Sequence, residues 1–375
     1  MATCRASSRR VLPRVAPIVL GAFGLVILLL AARSFVTSSG FAYDYQAYDA
    51  AARRITAGQP LYPPGVAKAY NSGSYAGLYL YPPPPAVALI PVTVLSPDQA
   101  ALAWLWLRLA LLAIGAFILP VSALARGAVF AIGAISFPVW YDLNLGNTSI
   151  VLFALSAVIW RFRERPAGSI ALAIAGVLRY PFGLVLLGWI LARRWRAAAW
   201  TILAGLFIGV ATLPFVGING WLDYVSAITA LRDVSSGEHN LSFITTAHAF
   251  GLPGPDLLWV LIGVGSALLA TAFAALRRDA QTAVVVSLAA TILFFPFFHP
   301  HYLVQLLIPA AFLAGRGQWW GLVLPLLGWL PGELMAPAAL LGALLPLVPA
   351  RFLAIRPGAG LFGGAPEFET GPMRP

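Results

Sequence analysis

The chain has 375 residues, 60% of them hydrophobic and 10% charged, with a mean hydropathy of +0.84. Soluble domains carry roughly 25% charged residues, so a soluble fold is excluded, and apolar runs that are continuous rather than alternating argue against a β-barrel. The net charge of +11 falls in short basic clusters between those runs, the positive-inside pattern of a polytopic helical membrane protein rather than a nucleic-acid surface.

The first element is an apolar helix over 15–33, behind a basic flank (Arg5, Arg9, Arg10, Arg14). No small-residue cleavage step follows it, so it reads as a retained first helix. The stretch from Phe41 to Pro85 comes next: FAYDYQAYDAAARRITAGQPLYP, then YLYPPPPAV. A carboxylate, Asp44, stands about ten residues beyond the anchor at the head of an Ala-rich helix over 45–57, and Gly58-Gln59-Pro60 ends that helix. Further apolar segments follow at 84–96, 99–119, 127–140, 148–160, 168–178, 181–192, 197–215, 256–276, 281–298, 302–314, 319–330 and 334–350. Several are too short for an upright span of about 20 residues. The tail 351–375 is rich in Gly and Pro and is read as a flexible cytoplasmic end.

Charge sets the orientation. Basic clusters at Arg161/Arg163/Arg165, Arg193/Arg194/Arg196, Arg277/Arg278, Arg316 and Arg351/Arg356 join Arg374 and the N-terminal arginines on one side, 16 of the 24 lysines and arginines. The N-terminus is therefore expected in the cytoplasm. For the Arg161 cluster to return there, one earlier segment, 84–96 or 127–140, must lie flat or be re-entrant. About 12 crossings are expected, in one domain over 1–350 with external loops at 34–83 and 216–255. Asp44, Asp49, Lys68, Tyr81, Asn144, Asn147, Arg179, Asp223, Glu238 and all four histidines (His239, His248, His299, His301) then face the external side.

Asp44, ringed by Tyr43, Tyr45 and Tyr48, has the chemistry of a general base toward a hydroxyl; it equally suits a helix N-cap. Asp49 and Arg53, four apart on the same helix, read as a surface ion pair. Tyr81-Pro82-Pro83-Pro84-Pro85 is stiff and short of backbone donors; it either presents Tyr81 to a sugar or only starts a helix. Arg179, in VLRYPFG, interrupts an apolar hairpin with no acid nearby in sequence. Such a cation is costly in a membrane unless paired or wet, and a lipid phosphate is a suitable partner for a guanidinium. His299 and His301, in FFPFFHPHYLV, fit no common metal spacing, and no metal site is assigned. Asn144-Leu145-Gly146-Asn147-Thr148-Ser149 reads as a turn opening a helix, capped by Asn147 or Thr148. No phosphate-binding glycine loop and no haem or cysteine motif occurs. Any energy for chemistry on this chain is therefore expected from a membrane-borne donor.

In order, these pieces resemble glycosyltransferase family 87 of the GT-C superfamily of polyprenyl-phosphate-sugar-dependent membrane transferases. They are an Asp heading a Tyr- and Ala-rich helix (DYQAYDAAARRITAGQPLY), YPP leading to LSPDQAALAWLW, NLGNTS, RYP, RRWRAAAW, HNLSF and PFFHPHYLV. The chain departs from the family pattern in having Gly-Asn where Gly-Gln is usual, RYP for Lys-Pro, and His299-Pro300-His301 where adjacent histidines or His-Asp are usual. The resemblance implies a GT-C-type bundle with an extracytoplasmic site and transfer of a sugar, mannose first among the options, from a polyprenyl-phosphate donor to a hydroxyl on a glycolipid or glycan acceptor. It implies Asp44 as catalytic base, Arg179, His301, His299 and His239 at the donor phosphate, and Tyr45, Tyr48, Tyr81, Asn147 and Asn240 at the substrates. Membrane lipids are partners, nucleic acid is not, and no cofactor is implied beyond the lipid-linked sugar itself. A bacterial inner membrane is the expected location. A transporter or lipid flippase, and an O-antigen-ligase-like enzyme, remain open as other readings.

Overall fold

The computed structural model of the chain describes residues 4–72, 77–230, 241–277, 279–295 and 299–349. All regular structure among them is helical. The α-helices are α1 (Cys4–Val36), α2 (Tyr43–Thr56), α3 (Val66–Asn71), α4 (Pro83–Ala88), α5 (Pro97–Ile118), α6 (Ala123–Ile135), α7 (Phe137–Leu145), α8 (Ser149–Arg161), α9 (Pro166–Leu178), α10 (Gly183–Leu191), α11 (Trp195–Thr229), α12 (Phe243–Ala249), α13 (Asp256–Leu276), α14 (Ala280–Ala290), α15 (Leu307–Gly315) and α16 (Met335–Leu344). Turns of 3₁₀-helix join them, the longest at Pro300–Leu306 and Trp319–Trp329.

Among the described residues four helices are long and apolar enough to cross a membrane: α1 over Val15–Val36, α5, α11 and α13. The pair α6–α7 makes a fifth if its 63° bend belongs to one span. The remaining apolar helices run to only 10–17 residues, so helix length alone does not reproduce about twelve crossings. The bend in α6–α7 falls at Ser136, which is extended (φ −84, ψ 135) and followed by Pro138. The segment 84–96 is likewise no span, being α4 followed by a 3₁₀ turn over Ile90–Val94. Both segments offered as flat or re-entrant are thus broken.

Packing explains which faces are apolar. In the core, α1 packs chiefly on α6, α5 on α8, α9 on α11 and α13 on α14. Large side chains such as Leu203, Leu206, Phe207 and Val210 on α11 stand exposed instead, as expected of a helix whose solvent is lipid.

α11 departs from expectation. The sequence reading ends it at 215, but it continues to Thr229 through Pro214 and a non-helical Gly217 (φ 63, ψ −177). Positive φ is open to glycine at little steric cost, so the helix changes direction there and restarts. At 1.5 Å per residue its 35 residues would span about 52 Å, well beyond a core of about 30 Å. The part beyond Gly217 therefore lies with the short helices, Tyr224 packing on Tyr62 with ring centroids 6.0 Å apart.

Those short helices form a layer around α2. Tyr45, Tyr48, Ala51 and Ala52 give α2 one buried face at helical spacing. Arg53 pairs with Asp49 at 2.7 Å and also donates to the carbonyls of Thr93 and Leu95. The pair expected at the surface is thus partly buried, with Asp49 facing the core, and it ties α2 to the chain after α4. Prolines occupy the first turn of α4, where no donor is needed. The carbonyls just before it accept from Tyr62 and Tyr79, at 2.6 Å each.

Candidate active site

The centre of the site is the turn between α7 and α8. Gly146 ends α7 in the left-handed region (φ 84), and a Cβ there would lie 2.7 Å from the Cβ of Tyr45. Only glycine lets the turn and α2 approach so closely. The amide of Ala42 donates to the Asn144 carbonyl at 2.7 Å, and the Ser38 hydroxyl reaches Asn144 Oδ1 at 2.7 Å. The start of α2 is thereby fastened to the turn.

Asp44 is not the cap of α2. The helix begins one residue earlier, at Tyr43, behind a left-handed Ala42 that makes no side-chain cap. The carboxylate reaches across instead, and Asn147 Nδ2 donates to Asp44 Oδ2 at 2.7 Å. The other end of that amide, Oδ1, accepts from Arg179 Nη2 at 2.5 Å and from the Thr148 amide at 2.7 Å. Each amide atom meets a partner of the complementary kind, which fixes its orientation. Thr148 takes the N-cap position of α8 without a side-chain bond; the Ser149 amide is capped from outside the turn, by Asp142 Oδ1 at 2.9 Å.

Arg179 breaks the hairpin as expected. α9 stops at Leu178, Arg179 is extended (φ −148, ψ 114), and Tyr180–Phe182 turns into α10. The side chain is buried, its guanidinium 3.8 Å from the ring centroid of Tyr302 and 3.5 Å from His301 Nε2. It makes no ion pair with a carboxylate among the described residues. Beside it lies a recess lined by Ser149, Leu152, Phe182, Ile292, Tyr302 and Gln305, among others.

The histidines divide. His301 is buried and stacks on Tyr141 at 6.0 Å, with His299 stacked on its other neighbourhood at 5.6 Å. His248 is exposed and meets Asp256 at 2.8 Å, away from this cluster. No group of three or more His, Cys, Asp or Glu able to hold a metal is gathered among the described residues. His239 and Asn240, and the tail 351–375, lie outside the described residues.

The tyrosines offered for substrate take different places. Tyr45 is 1% exposed and stacks on Trp104 at 5.5 Å. Tyr48 is equally buried and lies 4.9 Å from Tyr81, which is half-buried. So Asp44, Asn147, Arg179 and His301 are joined in one chain of contacts, with Tyr81 reached through Tyr48 and Tyr45 turned into packing.

Sequence reasoning missed a second buried pair. Arg108 of α5 and Asp142 of α7 are both 0% exposed, with Arg108 Nη1 3.4 Å from Asp142 Oδ2. The signal was present, since an arginine in WLWLRLALL interrupts an apolar run as Arg179 does. Burial pushes the Asp44 carboxyl above its ordinary range, against the pull of the Asn147 hydrogen bond and of the Arg179 and Arg108 charges. The site thus offers a carboxylate of raised basicity joined by one amide to a buried cation, with a histidine and a tyrosine beside that cation.

The profile of glycosyltransferase family 87 matches residues 79–300. No curated protein and no solved structure matches the chain. The matched span holds Arg108, the 144–149 turn, Arg179 and His299; His301 is the first residue after it, and Asp44 lies well before its start. It covers more than half of the sequence, and this helical membrane chain with its carboxylate–amide–guanidinium site belongs to glycosyltransferase family 87.

Proposed function

We propose that this glycosyltransferase moves a sugar, mannose first among the options, from a polyprenyl-phosphate donor to a hydroxyl of a glycolipid or glycan at the extracytoplasmic face of a bacterial inner membrane. The observation that carries the reading is the pairing of Asp44 and Arg179 through Asn147. Asp44 takes the proton of the acceptor hydroxyl as its oxygen attacks the anomeric carbon. The bond from that carbon to the phosphate oxygen breaks with its electron pair, and polyprenyl phosphate leaves. In-line displacement inverts the anomeric centre. Charge grows on the departing phosphate, and a cation already in place there stabilises the transition state most. Arg179 would take that position, with His301 and His299 next to it and no carboxylate in contact with it among the described residues.

The amide has a part of its own. A carboxylate in direct contact with a guanidinium is held ionised and is a weaker base. With Asn147 between them, Asp44 keeps the raised basicity that burial gives it. The working form is the ionised one, so the rate falls as pH drops through a value above the ordinary carboxylate range of about 4.

Turnover of radiolabelled polyprenyl-phosphate-mannose by the purified protein in lipid, beside Asp44→Asn, tests the reading. The variant is expected to lose about 10²- to 10⁴-fold in rate while still binding donor, and full activity in it would remove Asp44 as base. A wild type inert toward both mannose and arabinose donors would make transport the leading account.

A further inference from the structure

Arg108 and Asp142 belong to no step of the transfer, yet they surround the turn that carries Asn147. Arg108 donates to the backbone carbonyls of Asp142 and of Leu143, the latter at 3.0 Å. Both lie near the C-terminal end of α7, where the Asp142 carbonyl also accepts the last helical bond, from the Gly146 amide at 2.9 Å. Asp142 uses one carboxylate oxygen on Arg108 and the other on the Ser149 amide, the start of α8. One helical turn before Arg108 on α5, Trp104 Nε1 donates to the Gly146 carbonyl at 2.8 Å. The ring of Trp104 also stacks on Tyr45, the neighbour of Asp44. The ion pair and this tryptophan therefore grip both flanks of the turn between α7 and α8 and the helix that faces it.

A buried ion pair is a poor way to gain stability, since desolvation offsets most of the attraction. Apolar residues of the same volume would hold α5 and α7 together as well. What apolar residues cannot do is bond two terminal carbonyls, cap α8 and keep a balanced charge close to Asp44. We propose that Arg108, Asp142 and Trp104 are positioning residues of the active site, which set the Asn147 amide between Asp44 and Arg179 and hold the field at Asp44 constant. The proposal rests on Asp44 acting as the base wherever its consequence is read in turnover; its electrostatic half is read without turnover.

The charged and titratable groups that face Asp44 come from five elements. They are Arg108 on α5, Tyr141 and Asp142 on α7, Arg179 between α9 and α10, Tyr302 in the 3₁₀ turn Pro300–Leu306, and Tyr48 on α2 itself. Asp142→Asn retains an oxygen for the Ser149 amide but leaves Arg108 uncompensated. The added positive field favours ionised Asp44, so its titration moves to lower pH, by roughly half a unit to one unit. The double variant Arg108→Gln with Asp142→Asn removes both charges and returns the midpoint toward wild type.

The experiment is carbodiimide labelling of Asp44 across pH in protein held in lipid vesicles, read by mass spectrometry. The reagent takes the protonated carboxyl, so the midpoint is obtained with no substrate present. Alongside it, Trp104→Phe, which keeps the stacking on Tyr45 and loses the bond to Gly146, is expected to lower kcat for polyprenyl-phosphate-mannose roughly 3- to 10-fold. Its donor KM and thermal midpoint should stay near wild type. A downward shift in Asp142→Asn that the double variant reverses supports the proposal even if that donor proves inert. Coincident labelling midpoints overturn it, as does a Trp104→Phe enzyme with wild-type kcat; should Asp142→Asn fail to fold, Trp104→Phe decides alone.

Discussion

Two arginines lie buried among the described residues, and their surroundings differ in one respect. Around Arg108 the protein is electrostatically closed, with a carboxylate at 3.4 Å and backbone carbonyls taking the remaining donors. Around Arg179 it is open, with a neutral amide, a histidine nitrogen and the faces of Tyr302 and Phe295 but no acid in contact among the described residues. Both cations are costly to bury. One is compensated by the fold itself, whereas the other is left for a group the fold does not contain. The first is read as architecture and the second as recognition, although both sit in apolar stretches of sequence and nearly the same distance in the chain from the turn they bracket.

Arg108→Ala tests the contrast most severely. Removing one partner strands Asp142 without its counter-charge, and breaking a buried pair costs about 3–5 kcal/mol. A large drop in the thermal midpoint of the protein in lipid is expected, and a midpoint near wild type would show that the pair is no structural element. Arg179→Ala should behave in the opposite way. Stability should change little, while donor KM should rise about 10- to 100-fold, the worth of a hydrogen bond to a charged group; a rise confined to the acceptor KM would place the anion elsewhere. The smallest effect is expected at Tyr45→Phe. The Tyr45 hydroxyl is buried without a hydrogen-bond partner, so its removal should leave the melt unchanged or raise stability by up to about 1 kcal/mol. A clear loss of stability would mean that the hydroxyl is bonded after all.

Much of this could be read in the sequence, because membrane helices and isolated charges are strong signals. Composition gave the helical class, Asp44 and Arg179 stood out as charges against apolar neighbours, and NLGNTS announced a helix start. The pairing of Asp44 with Asn147 could not be read, since it joins residues 103 apart and depends on how α2 lies on the turn. Asp44 looked equally suited to a cap, and only the left-handed Ala42 shows that the helix begins before it. α11 was ended too early because Pro214 and Gly217 are ordinary stop signals; the helix bends there and resumes. The Arg108–Asp142 pair shows the reverse failing, a legible charge overlooked in a run of tryptophan and leucine.

The bridge between Asp44 and Asn147 also bears on how the chain is made. At a synthesis rate of about 5–20 residues per second, the 103 residues between them take roughly 5–20 s to appear. For most of that interval α1 is without α6 (Ala123–Ile135), its main packing partner, and the Asp44 carboxylate is without its amide. Arg179 and then His301 must still follow. The candidate site is therefore assembled late and from four separated stretches, so a chain ending before α9 carries Asp44 but lacks the guanidinium and the histidine. On the proposed reading, activity arises only once the last of these pieces is in place.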